Sequence, residues 1–228
     1  MQRRLDKRTL LVYYYGIMTH NEQCSLRISI GFYGDFMSKR ILSRDLIVSE
    51  AFKMIDERGT DSFSVRGLAA KLGVRVSSLY NHIENEYDLL LEVSKRAAAL
   101  YADIIATEVV GQEPEEASYK AGDAFKCFMN EHRYLYELLL SRRWMGNPEY
   151  EKSIEEFTHP IFYLLDLYGV KDKAAREHAY IAMRVVTHGF SYLDSLGVFD
   201  GLSIDTTESY HKMIKSVIDM MKESGKKS

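Results

Sequence analysis

From Ser43 onward the apolar positions of the chain keep a helical rhythm. Ile47, Ala51, Phe52 and Ile55 recur behind a serine able to cap the first turn, and Gly59 can take the positive φ that ends a helix. A second capping serine, Ser64, opens a short segment in which Val65, Leu68, Ala69 and Leu72 share one face before Gly73 stops it. Val74 restarts an apolar contact, and a third short helix is expected from Ser77 to Ile83. Asn85 can cap a fourth, which runs through Leu89, Leu90, Val93, Ala97, Leu100, Tyr101 and Ile104 to about Val109. It is long enough to leave one domain and enter another.

Beyond Gln112 the rhythm breaks at Glu113-Pro114, Gly146-Asn147-Pro148, Tyr168-Gly169-Val170 and between Gly197 and Ser203. The breaks predict helices near residues 115–129, 131–143, 149–167 and 172–196, then a last one from Asp205, where Asp205 and Glu208 stand in capping-box spacing. That last helix repeats Tyr210, Met213, Ile214, Val217, Ile218 and Met221 on one face, and Lys222, Lys226 and Lys227 suit the negative end of its dipole.

Composition narrows the class. With 46% hydrophobic residues and only 3 Pro and 14 Gly among 228 positions, the chain is poor in the residues that punctuate β-rich folds, and an all-α fold is expected. Cys24 and Cys127 form no CxxC pair, which favours a reducing compartment, the cytoplasm. Residues 1–36 read differently from the rest. Basic at the start and then apolar from Thr9 to Met18, they superficially resemble a secretory leader, but three tyrosines and a glycine interrupt the run and no small-residue cleavage site follows. The run is also too short to span a bilayer. Gly34-Asp35-Phe36-Met37 can be encoded as a purine-rich ribosome-binding sequence placed before a start codon, so residues 1–36 are expected to be an upstream extension without a fold of its own.

No HExxH, GxSxG, phosphate-loop or GxGxxG pattern is present and the seven histidines are scattered, so no catalytic group, metal site or cofactor is expected. A net charge of −3 argues against non-specific coating of nucleic acid. Residues 39–75 are nevertheless locally basic, with eight Lys or Arg (39, 40, 44, 53, 58, 66, 71, 75) against five acids (45, 50, 56, 57, 61). Within them, Ala69, Gly73 and Leu79 stand four and then six residues apart, where two short helices crossing at a steep angle need a small residue, a turn residue and an anchor. This is helix-turn-helix spacing, which leaves the outer side of the third helix free to enter a DNA major groove; a glycine between amphipathic helices also occurs in plain bundles.

The run from Phe63 to Ile83 (FSVRGLAAKLGVRVSSLYNHI), followed by Asn85 and Leu89-Leu90, resembles the DNA-binding domain of TetR-type transcriptional regulators, whose hallmark is an Ala-x-x-x-Gly turn and then Leu-Tyr-x-His. The match covers about residues 41–92. Thr187-His188-Gly189-Phe190 is similar to the Trp-His-Gly signature of one C-terminal class of that family, with Thr187 in place of Trp. The resemblance implies a helix-turn-helix domain over 37–90, joined by a long helix to a helical effector-binding and dimerisation domain over 91–228. It implies a regulator, acting as a repressor released by a small molecule, that binds double-stranded DNA at a near-palindromic operator. A helical ligand- or partner-binding protein that kept the fold and lost tight DNA binding is the alternative.

Site residues follow from the same resemblance. Arg66 falls where a base-reading arginine is often placed, and Arg can grip guanine O6 and N7 together; the same residue also reads as a solvated surface arginine. Ser64 can hold a phosphate at a helix N-terminus and can equally be a cap. Arg75, Val76, Ser77, Ser78 and Asn81 would face the groove, while Tyr80 and His82 match positions that touch phosphates. One departure stands out: Glu86, flanked by Glu84 and Asp88, occupies the position where a phosphate-contacting lysine is common. Three carboxylates there would repel DNA, although acids also suit a helix N-terminus. For the effector, the candidates are Phe128, Trp144, Phe162, Met183, Arg184 and His188. For a homodimer, the expectation is a four-helix interface built from 172–196 and the last helix through Tyr192, Tyr210, Ile214, Val217, Ile218 and Met221, since both segments are apolar over more surface than one core is expected to cover.

Overall fold

Each cap that the sequence marks closes the helix behind it. Ser43 Oγ accepts the Leu46 N–H at 3.2 Å at the head of α1 (Arg44–Arg58), which buries Ile47, Val48, Ala51, Phe52 and Ile55 and ends on Gly59 at φ 77°. Ser64 Oγ accepts the Gly67 N–H at 3.0 Å at the start of α2 (Val65–Leu72). Asn85 Oδ1 accepts the Asp88 N–H at 2.9 Å at the start of α4 (Glu86–Val109). Each such cap contributes about 1 kcal/mol by satisfying an N–H that the first turn leaves open. The computed structural model describes residues 41–226, so the extension expected over 1–36 and the residue Cys24 lie outside the described residues.

Every regular element among the described residues is helical. After α3 (Val76–Leu79) and α4 come α5 (Pro114–Glu131), α6 (Arg133–Leu139), α7 (Pro148–Leu167), α8 (Lys173–Ser195) and α9 (Thr206–Lys226). Residues from Ser43 onward cluster as one unit, and the expected 90/91 domain boundary falls inside the unbroken α4. Helix α4 packs against α1, α5, α6 and α7, while α5, α7, α8 and α9 close the second layer.

Two elements differ from the expected pattern. The third helix has only four α-helical residues; Tyr80–His82 is a turn, in which His82 and Ile83 both donate to the Leu79 carbonyl. The segment expected as one helix over 131–143 stops at Leu139 and re-forms as a single 3-10 turn at Arg142–Trp144. The kink carries Trp144 back beneath α6, where it is fully buried and its indole N–H donates to the Leu138 carbonyl at 2.7 Å. The capping box at Asp205 is half formed: its carboxylate accepts the Thr207 and Glu208 N–H groups, but Glu208 pairs with Lys212 instead of reaching back.

The last helix overturns one expectation. Tyr210, Ile214, Val217, Ile218 and Met221 are buried within the single chain, packed with Leu165, Val170, Ala179, Met183 and Phe190. They are core, and the dimer surface expected there is not available. Two details fix this packing: Tyr210 donates to the Gly122 carbonyl at 2.8 Å, and a Cβ at Gly122 would overlap Ile214 Cδ1. The apolar excess is left on α8 instead, where Ile181, Val185, Tyr192, Leu193 and Leu196 are exposed.

Candidate nucleic-acid interface and ligand cavity

Helix α2 ends on Gly73 in the left-handed region at φ 68° and ψ 29°, a conformation that costs little only without a Cβ. The Val74 N–H then returns to the Ala69 carbonyl at 3.0 Å and the Gly73 N–H to Ala70 at 3.2 Å, the double closure of a Schellman end. The turn swings α3 across α2, with Leu68, Ala69, Leu79 and Ile83 buried beneath. The candidate DNA contacts lie on the other side. Ser64, Arg66, Arg75, Ser77, Tyr80 and Asn81 are exposed, while Val76, Ser78 and His82 are half-buried.

Charge is distributed unevenly over this head. Arg44 makes a two-pronged pair with Asp88 at 2.7 and 2.9 Å and also donates to the His82 carbonyl at 3.0 Å. Lys71 pairs with Glu50 at 2.9 Å, and Arg96 with Asp45. Arg66 and Arg75 enter no ion pair among the described residues, so their guanidinium groups are left to solvent. The cluster of three carboxylates resolves into two roles. Asp88 is occupied: the Arg44 hydrogen bonds, reinforced by the Glu84 N–H, hold its carboxyl below the usual range against the opposing effect of burial. Glu84 and Glu86 remain exposed.

A second contact besides α4 joins the head to the rest. The His132 ring nitrogen Nδ1 meets both carboxylate oxygens of Asp56, at 3.0 and 2.9 Å, and the Tyr134 ring lies against Gly59. Helix α1 thus rests on α6, which no sequence spacing announced.

In the helical domain the structure disperses the six effector candidates. The cavity between α4, α5, α7 and α8 is lined by Tyr101, Phe125, Pro160, Leu164, Met183 and Thr187 among others, and its volume of about 10 Å³ is no more than a single water would need. Of the six, only Met183 lines it. Trp144 is a core residue beside Tyr87, with ring centroids 5.2 Å apart. Phe128 packs edge-on to Tyr101, and Phe162 stacks on Tyr180 at 5.4 Å. Arg184 donates to the Tyr180 hydroxyl at 3.0 Å. His188 Nδ1 lies 2.5 Å from the Tyr136 hydroxyl, and its ring packs on Phe125 at 4.3 Å. Burial first, and the Arg184 charge second, push the His188 pKa down to about 3, so the ring is neutral. Desolvation likewise raises the Tyr136 phenol to about 12. The lining residues missed in sequence include Tyr101, Phe125, Pro160, Leu164 and Thr187; the mid-helix proline was the available signal, since it has no N–H to give the helical ladder.

No group of three or more His, Cys, Asp or Glu among the described residues could hold a metal ion. No helix among them is long and apolar enough to cross a membrane.

Comparison with known proteins agrees with this geometry. The model of bacterial regulatory proteins of the tetR family matches residues 47–93, and the tetracyclin repressor-like C-terminal domain matches residues 119–217. An HTH-type transcriptional regulator of Mycobacterium tuberculosis is 28% identical over 165 residues, covering 72% of this chain and 75% of that protein. Among solved structures, a TetR regulator of Streptomyces coelicolor superposes with a TM-score of 0.64 at 16% identity, over 80% of this chain and 99% of that one. The TetR family protein ActR of the same organism, in complex with (S)-DNPA, gives a TM-score of 0.56 at 20% identity, over 81% and 99%. These two structures share the fold. With both halves matched to models of one family, the chain belongs to the TetR family of transcriptional regulators.

Proposed function

We propose that the chain is a cytoplasmic homodimeric repressor whose α2–α3 heads read a near-palindromic operator and whose helical domain binds the small molecule that releases it. The observation carrying the DNA reading is the unpaired state of Arg66 and Arg75 on a head whose Arg44, Lys71 and Arg96 are internally neutralised. Arg66 reads a base from the start of α2; Val76, Ser77, Ser78 and Asn81 face the groove; Ser64, Tyr80 and His82 position the head on phosphates. The neutralisation of Asp88 by Arg44 removes part of the support for the alternative, a protein of this fold without DNA binding.

The two heads of a dimer place half-site centres about one DNA turn, roughly 34–36 Å, or a multiple of it apart. The dimer forms through α8, because that is where the exposed apolar residues lie. The effector enters the helical domain at the space beside Tyr101, Phe125 and Met183. It weakens DNA binding only through differential affinity for two conformations, a tenfold change needing about 1.4 kcal/mol. Both α4 and the α1–α6 contact carry that difference to the heads. A mobility-shift assay on the chain's own promoter region tests the reading: a specific shift, lost with Arg66→Ala, is expected, and no shift at low salt would leave the non-DNA alternative standing.

A further inference from the structure

Gly189 sits in the interior of α8, six residues before the helix ends, where glycine weakens a helix relative to any other non-proline residue. Nothing in the single chain accounts for it. A Cβ built at Gly189 meets no atom within 4 Å, and its φ is ordinary for a helix. By contrast, Gly122 on α5 is required by Ile214, and Gly73 by its left-handed turn.

The surroundings supply the reason. Ile181, Val185, Gly189, Tyr192 and Leu196 follow one another at three- and four-residue steps along the solvent side of α8, an outward stripe with no charged residue over four turns. Ile181 is 56% and Val185 66% exposed, and Val198, Leu202 and Ile204 in the following connection are as open. Side chains of this number and exposure offer on the order of 800 Å² per copy, the share of one partner in an interface of standard size. Gly189 also lies at the midpoint of the run from Ile181 to Leu196. A stripe that pairs with itself about a twofold axis overlaps most fully when the axis passes through its midpoint. There the two helices come closest, and there a side chain is least tolerated.

The structure assigns to Gly189 the crossing point of two α8 helices, the occupant of the stripe being a second copy of this chain. The inference rests on the homodimer reading and goes beyond it by fixing the register. Val185 of one protomer faces Tyr192 of its partner, and Ile181 faces Leu196. The absence of a Cβ at the centre lets the backbones approach until these side chains interlock.

The test is sedimentation of the full chain over nanomolar to micromolar concentration, with Gly189→Leu and Gly189→Ala beside the wild type. Open space at this position in the single chain keeps Gly189→Leu folded, as circular dichroism would confirm. The dimer Kd is expected to rise at least 100-fold for Gly189→Leu and several-fold for Gly189→Ala. A helix-propensity role alone would raise the melting temperature of Gly189→Ala and leave the Kd unchanged, which overturns the assignment. A wild type that is monomeric throughout overturns the homodimer reading itself. Should Gly189→Leu misfold, Gly189→Cys in a Cys24→Ser, Cys127→Ser background decides. Cross-linking to its own copy under mild oxidation within minutes requires Cα atoms about 4.4–6.8 Å apart, and failure to cross-link while still dimeric overturns the crossing point.

Discussion

Arg66 and Arg75 differ from Arg44 in one respect that decides their use: an arginine already held by a carboxylate has little left to offer a base or a phosphate. Arg66→Ala is expected to cost on the order of 1–3 kcal/mol on a selected operator and to relax specificity at one base pair. Tyr80→Phe and His82→Ala should weaken binding about equally across sequences, and a binding-site selection read by sequencing checks both patterns. His188 gives a separate prediction. Its folded pKa, about 3, lies below the ordinary 6.5, so the unfolded chain takes the proton first and stability falls as pH drops from about 6.5 toward 3. The slope from this residue approaches 1.4 kcal/mol per pH unit, and His188→Gln should flatten it in urea titrations at pH 4.5 and 7. At this scale the sequence displayed the packing of the α2–α3 head well, because Leu68, Ala69 and Leu79 sit at fixed, local offsets from Gly73. It displayed the cavity poorly. Whether Phe128, Trp144 or Phe162 faces a space or a neighbour depends on helices far apart in sequence, and an aromatic at helical spacing looks the same in both settings.

The same contrast holds for whole elements. Caps and glycine stops at Ser43, Gly59, Ser64, Gly73 and Asn85 placed the first four helices within a residue or two, apart from the shortened third. The break inside 131–143 escaped notice because its cause is the burial of Trp144 under α6, a tertiary demand that no local signal announces. The start of α4 now separates into a fixed part and a free part. Asp88→Asn should cost about 1–2 kcal/mol in denaturant melts by releasing Arg44, partly exposed though that pair is. Glu86→Lys should strengthen DNA binding and steepen its salt dependence by adding one phosphate-neutralising cation per subunit; unchanged affinity and slope would mean that this turn does not face DNA. For α6, a double-mutant cycle with Asp56→Asn and His132→Ala should return a coupling energy on the order of 1 kcal/mol, accompanied by faster hydrogen exchange in α1 but not in α8.

For the molecule as a whole, the all-α class was legible from periodicity, but the assignment of surplus apolar surface to an interface was not. Two helices each showed a broad apolar face, and only the packed chain reveals that α9 buries Tyr210, Ile214, Val217, Ile218 and Met221, whereas α8 buries Ala179, Met183 and Phe190 and leaves Ile181, Val185 and Tyr192 outside. Ile214→Asp should therefore unfold the domain, at more than about 4 kcal/mol for an unpaired buried charge, and not yield a clean monomer. Val185→Asp, at a position 66% exposed, should give a folded monomer in sedimentation with nearly unchanged melting of the single chain. The small volume of the cavity has a consequence in time. Sites for drug-sized molecules run to about 300–1,000 Å³, so an effector taking the space beside Tyr101, Phe125 and Met183 requires the surrounding helices to part first. Pro160 of α7 lines this space, and as a proline it has no N–H for a helical rung. Effector association should then be far slower than diffusion, with an observed rate that levels off as concentration rises, because the protein's own opening, and not the encounter, sets the pace of induction.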